Sequence, residues 1–258
     1  MERIAVIADV HGNAPALEAV LAELENERPD VIVVAGDVAG GPHQDEVLDR
    51  LMGLERARFV RGNVDRVVVQ AFEEHWPFDP DERSPARKAG AWAAERLSRE
   101  QRDFLAAFED TVAIGDVLVC HGTPRSDDEL VTSLTPEDDL RDVLAGVEQR
   151  LVACGHTHVQ YDRTVGETRI VNAGSVGMPF EGRRGAFWLM LDPDVELRRT
   201  DYDYDRAAAR IRSTDYWDAE NTAGQLLDPP ERRETEASFE HARGAGGPTR
   251  EARSSCSA

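Results

Sequence analysis

The chain is poor in lysine, cysteine, aromatic side chains and long apolar stretches, and each shortage closes off a class of function. Lys88 is the only lysine among 30 basic residues, which face 50 acidic ones, so the formal net charge is −20. An acidic surface of that kind repels phosphate backbones and anionic lipid, which argues against an extended nucleic-acid partner and against membrane docking. GC-rich coding explains arginine in place of lysine but not the acid excess. A carboxylate-rich surface screened by a salty cytoplasm explains both, so a halophilic source is expected. The three cysteines, Cys120, Cys154 and Cys256, are too few and odd in number for a disulfide framework. A reducing compartment follows, with Cys120 and Cys154 as small core residues inside apolar runs. The N-terminus enters a strand at once, without a basic leader or cleavage site, and no run approaches a membrane span. The expected location is the cytoplasm.

What is present is a globular composition, 41% hydrophobic and 31% charged over 258 residues. Residues 3–10, 31–38 and 57–60 read as buried strands, separated by helices whose apolar faces carry Leu17, Val20, Leu21 and Leu24, then Val47, Leu48, Leu51 and Met52. That β-α-β-α-β order predicts a parallel sheet with right-handed crossovers. Asn13 is placed to cap the first helix. Residues 64–110 read as mostly helical, broken at Trp76-Pro77, Asp79-Pro80 and Ser84-Pro85. Further strands are expected at 111–114, 116–120, 151–154, 169–172, 185–191 and 195–202, with a helix capped by Thr135 after 116–120 and a last helix over 205–212. The main domain is then 1–213. Residues 214–258 form a polar extension, with Trp217, Leu226 and Leu227 packed on the domain and disorder from about 228.

Five polar clusters follow predicted strands: Asp9-Val10-His11-Gly12-Asn13, Gly36-Asp37, Gly62-Asn63-Val64-Asp65, His121-Gly122 and Gly155-His156-Thr157-His158. Sites in open α/β sheets form at the carboxyl ends of strands, so these clusters should converge. Asp9, Asp37, Asn63, His11, His121, His156 and His158 are all nitrogen or oxygen ligands, which suits a borderline divalent metal. The set is too large for one ion and right for two, about 3.5–4 Å apart with one bridging carboxylate. Strand alternation accounts for the D-x-H and H-x-H spacings by placing residues i and i+2 on one side.

In that order, D-x-H, G-D, G-N-x-D, H-G and G-H-T-H resemble the motifs of the calcineurin-like metallophosphoesterase superfamily, most closely its small prokaryotic YfcE-like phosphodiesterase branch. The resemblance spans about residues 3–205. It implies an α/β fold, an αββα sandwich of two packed mixed sheets flanked by helices. It also implies that Asp9, His11 and His158 bind one metal, that Asn63, His121 and His156 bind the other, and that Asp37 bridges. The expected cofactors are two divalent ions, Mn²⁺ first, with Fe²⁺, Zn²⁺ or Ni²⁺ as alternatives. The expected activity is hydrolysis of small phosphodiesters or phosphomonoesters by a metal-bridging hydroxide, with Asp37, Asn63 and His121 as catalytic residues.

One position departs from the family. The usual G-N-H-D/E histidine, which helps protonate the leaving group, is Val64 here. That motivates a rival reading, a catalytically weak scaffold or protein-binding module of the same fold. His43 could replace the missing proton donor, but an exposed loop histidine is the plainer expectation. His75 and His241 read as structural or solvated, Asp127-Asp128-Glu129 as a solvated acidic loop, and Asp65 as a helix cap in preference to a ligand's supporting partner. Asn172, Gly174 and Ser175 suit a loop at the site mouth or an ordinary turn.

Overall fold

The computed structural model describes residues 2–244, so Cys256 and the disorder expected beyond 244 lie outside the described residues. Five strands build the first sheet in the order β10-β9-β1-β2-β3. Here β1 (Ile4–Ile7), β2 (Val31–Val34) and β3 (Ala57–Phe59) run parallel, joined through α1 (Ala14–Glu27) and α2 (Gln44–Met52). On the other side β9 (Ala186–Asp192) pairs antiparallel with β1, and β10 (Asp194–Thr200) forms the edge, antiparallel to β9. A second sheet has the order β4-β5-β6-β8-β7. Its centre, β5 (Val117–Cys120), β6 (Leu151–Cys154) and β8 (Thr168–Asn172), is parallel, and its edges, β4 (Thr111–Ile114) and β7 (Tyr161–Val165), are antiparallel.

Period-two alternation sorts each strand's side chains into two cores. Ile4, Val6 and Ala8 point between the sheets with Val33, Val119, Ala153 and Val171. Ala5 and Ile7 point the other way, against Leu17 and Val20 of α1 and Leu48 and Leu51 of α2. On the far side, Val152, Cys154 and Ile170 meet Leu140 and Val143 of α6 (Glu137–Val143). Each fully buried Leu, Ile or Val contributes about 1.5–3 kcal/mol, so the αββα layering is held mainly by these three cores.

The first two strands are shorter than their apolar runs. The pairing of β1 stops at Ile7 and that of β2 at Val34, although Ala8, Val10, Ala35 and Val38 are fully buried. Burial there serves loops, not sheet. Asn13 does cap α1, accepting the Ala16 N–H at 3.2 Å. The helical stretch resolves into α3 (Asn63–Glu73), α4 (Pro85–Ala94) and α5 (Arg99–Ala106), with Ser84 capping α4. Thr135 does not cap α6. That helix starts after Pro136, and the Thr135 hydroxyl instead accepts the Thr132 N–H at 2.9 Å. The strand β7 was not foreseen, because Asp162 and Arg163 give it a polar, edge-like pattern. It is pinned by Arg169, which bonds Asp162 at 2.8 and 2.6 Å across the pair.

Beyond α7 (Tyr204–Arg212), α8 (Ala219–Leu227) packs Ala223 and Leu226 on Ala207, Ala208 and Ile211. The expectation of disorder from about 228 is corrected over α9 (Arg232–Gly244). This helix has little apolar surface, which is why composition points to disorder. It is anchored by polar contacts: buried Glu236 accepts the Ser133 N–H at 3.0 Å, Glu240 accepts the Thr132 hydroxyl at 2.7 Å, and Arg243 pairs with Asp139 at 2.7 Å.

Candidate metal centre

Every predicted ligand leaves the carboxyl end of a strand: Asp9 and His11 after β1, Asp37 after β2, Asn63 after β3, His121 after β5, and His156 and His158 after β6. They converge as two groups, Asp9 with His11 and His158, and Asp37 with His121 and His156. Asn63 joins the second group, its Oδ1 3.1 Å from His121 Nε2. The D-x-H pair thus shares one group, whereas the H-x-H pair divides between both. Strand alternation is not the cause. Asp9, His11, Asp37, His156 and His158 lie outside the strands and have positive φ, from 44° at His11 to 68° at His156. Left-handed backbone at a non-glycine residue costs on the order of 1–3 kcal/mol, and its concentration on ligand positions marks a pre-organised site. Close approach is purchased by glycine. A Cβ on Gly62 would lie 2.1 Å from Asp37 Oδ1, and one on Gly155 would lie 2.6 Å from Asp9 Oδ2.

The rings are aimed by their outer nitrogens. His121 Nδ1 sits 2.7 Å from the Ala35 carbonyl and His158 Nδ1 2.7 Å from that of Met178, which turns both Nε2 atoms inward. Inside, His11 Nε2 and His158 Nε2 are 3.1 Å apart, and His158 Nε2 is 3.4 Å from Asp9 Oδ1. Asp37 Oδ2 lies 3.4 Å from His121 Nε2 and 3.7 Å from His11 Nε2, so one oxygen reaches a histidine of each group.

The electrostatics suit cation binding. Asp9 and Asp37 are buried, and Asp9 Oδ1 and His156 Nε2 have no hydrogen-bond partner among the described residues. Burial pushes His11 and His156 down to about 4, with repulsion from His158 and His121 respectively adding to it. Burial also opposes the charged form of His121, but Asp37 and Asp9 outweigh it and hold the ring at about 10. The same histidines keep Asp37 well below the usual carboxylate range against its own burial. Unpartnered lone pairs on Asp9 and His156, the neutral His11 and His156 rings and the ionised Asp37 carboxylate fit a pair of divalent cations, once His121 gives up its proton.

Supporting residues were only partly visible in the sequence. Asp65 is fully buried and does more than cap α3. Besides the Gly62 N–H at 3.2 Å, it accepts the N–H groups of Asp37, Val38 and Ala39 at 2.8, 3.0 and 3.2 Å. Burial and the Asp37 charge raise its carboxyl to about 6. Asn172 and Ser175 are fully buried and do not sit at a site mouth. The first holds the Thr157 hydroxyl at 3.1 Å and the second donates to the Asp9 carbonyl at 2.8 Å. A polar VNAGS run after an apolar strand was the available signal.

Val64 is mostly buried and offers the centre only its backbone N–H, 2.8 Å from Asp37 Oδ1. His43 is buried, not exposed, and joins neither ligand group. His75 and His241 are exposed as expected. The Asp127-Asp128-Glu129 loop is not simply solvated: Arg66 grips Asp127 at 2.7 and 3.1 Å, and buried Glu129 accepts the Thr123 hydroxyl at 2.8 Å. Cys120 and Cys154 are buried free thiols in the outer core of the second sheet. No helix among the described residues is long and apolar enough to cross a membrane.

Comparison with known proteins gives the same family as the motifs. The chain is 27% identical over 235 residues to an uncharacterised protein of Methanocaldococcus jannaschii, covering 81% of this chain and 91% of that one. A solved metallophosphoesterase from Sphaerobacter thermophilus is 26% identical, with a TM-score of 0.69 over 88% of this chain and 98% of its own. A hypothetical protein from Pyrococcus horikoshii OT3, at 19% identity, shares the fold with a TM-score of 0.73 over 90% and 100% of the two chains. Residues 2–194, which carry all seven ligand positions, match the calcineurin-like phosphoesterase superfamily domain, and the chain belongs to that superfamily.

Proposed function

We propose that the protein is a metal-dependent phosphoesterase acting on small phosphodiesters or activated phosphomonoesters in a reducing cytoplasm. Asp9, His11 and His158 would hold one divalent cation and Asn63, His121 and His156 the other, with Asp37 shared. The absence of thiolate from the set favours Mn²⁺ or a related first-row ion. When bound, the two cations supply positive charge to the phosphoryl oxygens and lower the pKa of an attacking water. The single observation that carries this reading is the reach of Asp37 Oδ2 to histidines of both groups. Asp37 orders the two groups about one carboxylate. Ala35 and Met178, through their carbonyls, keep the His121 and His158 rings from turning. Asp65 clamps the Asp37 loop from behind.

No side-chain proton is available at Val64, so departure of the leaving group depends on its own stability as an anion. Aryl esters should react well and alkyl esters poorly. The test is hydrolysis of bis(p-nitrophenyl) phosphate with Mn²⁺, with metal content measured on the same samples. Turnover that is lost to chelation and restored by Mn²⁺ supports the reading. Val64 also favours a second reading, a metal-loaded binding module. Two metals bound per chain with background hydrolysis of the aryl diester would select it.

A further inference from the structure

Beside the second ligand group, Arg61, Arg66 and Arg125 line an open cavity of about 340 Å³, together with Thr123, Asp110 and Asp127. The cavity is tied to the centre by sequence. Arg61 precedes Asn63 by two residues and Thr123 follows His121 by two, a reach of about 7 Å at most. Arg66 stands one turn beyond Asn63 on the same face of α3. None of the seven ligand residues lines the cavity itself, so its link to the centre runs through these chain neighbours.

Each guanidinium carries five N–H donors, and the ion pairs here do not use them all. Arg66 gives Nε and one Nη to Asp127. Arg125 is the most fully used, giving Nε at 2.8 Å and also Nη2 to the two oxygens of Glu129 and Nη1 to the Asp142 carbonyl at 3.1 Å. Arg61 pairs with the largely exposed Asp110, while its own Nε is buried without a partner among the described residues. The three guanidiniums are matched by Asp110, Asp127 and Glu129, so what the cavity offers an anion is the remaining N–H donors, chiefly those of Arg61 and Arg66, in a chain of net charge −20. The fork geometry of arginine matches phosphate oxygens in pairs. The overall acidic field repels a long polyanion, whereas a cavity of this size admits a single phosphoryl group.

We infer that this cavity is a subsite for a second phosphoryl group on the substrate. The substrate class is then a small organic phosphate ester that carries another phosphate, as in a nucleoside phosphorylated on both sugar hydroxyls. The inference rests on the phosphoesterase reading for its functional meaning, but the anion site can be tested without turnover.

The first measurement is calorimetric titration of the metal-free protein with inorganic phosphate, comparing wild type with Arg61→Gln and with Arg61→Gln/Arg66→Gln. Binding that weakens about tenfold or more in the double variant supports the subsite. Equal binding in the two proteins, or none in the wild type, overturns it. Asp110→Asn releases the Arg61 fork and should strengthen binding, an opposite sign that a general loss of structure would not produce. The second measurement uses p-nitrophenyl thymidylate with and without a phosphate on the other sugar hydroxyl, in the presence of Mn²⁺. The kcat/KM ratio should favour the doubly phosphorylated ester by about tenfold in the wild type and fall toward unity in the double variant. Phosphate binding without that preference overturns the role in substrate selection. If neither ester is cleaved while phosphate binding still depends on the arginines, the phosphoesterase reading fails and the anion site stands.

Discussion

The metal centre and the α9 interface both rest on carboxylates, buried except for the half-buried Glu240, and they differ in how far those carboxylates are satisfied. At the centre, among the described residues, Asp9 Oδ1 has no hydrogen-bond partner and Asp37 Oδ2 faces only histidine nitrogens. Under α9, Glu236 takes the Ser133 N–H and pairs with Arg232, and Glu240 takes the Thr132 and Thr135 hydroxyls and pairs with Arg243. Saturated carboxylates lock two pieces of protein together. Carboxylates with open lone pairs, held in place by strained backbone, wait for something the chain does not supply. The same side chain thus docks in one region and binds in the other, and only the three-dimensional inventory of partners separates the roles.

The largest effect expected on this contrast comes from Asp37→Asn. The amide keeps the size of the side chain but removes the charge that both ligand groups face. Turnover on an aryl phosphodiester should fall about 10²–10³-fold, the scale of losing one charge-stabilising contact. Metal content per chain should fall with it. Unchanged turnover with two metals retained would mean that Asp37 is as passive as Glu236.

Val64→His should come next. It places an imidazole at a position whose backbone N–H reaches Asp37 but whose present side chain packs with the helix-side core. A general acid is typically worth 10²–10⁴-fold, but a newly placed one should give less, about 10-fold on alkyl leaving groups and little on aryl ones. The measurement is the slope of log rate against leaving-group pKa, which should flatten in the variant. Equal slopes would show that another group already supplies the proton.

How much of this was legible follows from where chemistry is concentrated. Asp9, His11, Asp37, Asn63, His121, His156 and His158 are polar residues that each follow an apolar run, so the sequence isolates them and the parallel strand order brings them together. Their division into two groups was carried by family resemblance, because the left-handed turns at Asp9, His11, His156 and His158 defeat strand alternation. Asp65 was legible as the cap of α3, and Asn172 and Ser175 only as polar positions, since the rest of their work is done on groups distant in sequence. The strand β7 and the helix α9 were missed for one shared reason. In both, charged and hydroxyl side chains take much of the surface, leaving β7 only Tyr161 and Val165 in the core, and hydrophobic periodicity is weak in such segments.

Glu236→Ala tests the docking side of the comparison. It leaves the half-buried Ser133 N–H without its acceptor and removes the Arg232 pair, which should cost about 1–3 kcal/mol. At this chain length that is a fall of several degrees in Tm. Glu234 is exposed on the same helix, and Glu234→Ala should stay within about 0.5 kcal/mol. Equal midpoints for both variants would mean that α9 contributes nothing to the domain.

The smallest effect sharpens the binding side, and it is a proton count. In the metal-free protein His11 and His156 sit near 4 and are neutral at pH 7, whereas His121 sits near 10 and is protonated. A cation needs the lone pair on His121 Nε2, so loading at pH 7 must expel that proton, about one per chain from these three rings. The sign is fixed: raising the pH toward 10 removes the competing proton and strengthens metal binding, while lowering it toward 4 protonates His11 and His156 and weakens binding further. Stability without metal should run the other way for His121. Its raised value favours the folded state below the ordinary histidine range, and that contribution is lost as the pH climbs through about 10. Calorimetric titration with Mn²⁺ in two buffers of different ionisation enthalpy at pH 7 reads the proton directly. A count near zero would mean that His121 is already neutral in the empty centre. The Asp37 carboxylate would then lack its counter-charge, and the contrast with the saturated carboxylates under α9 would be still sharper.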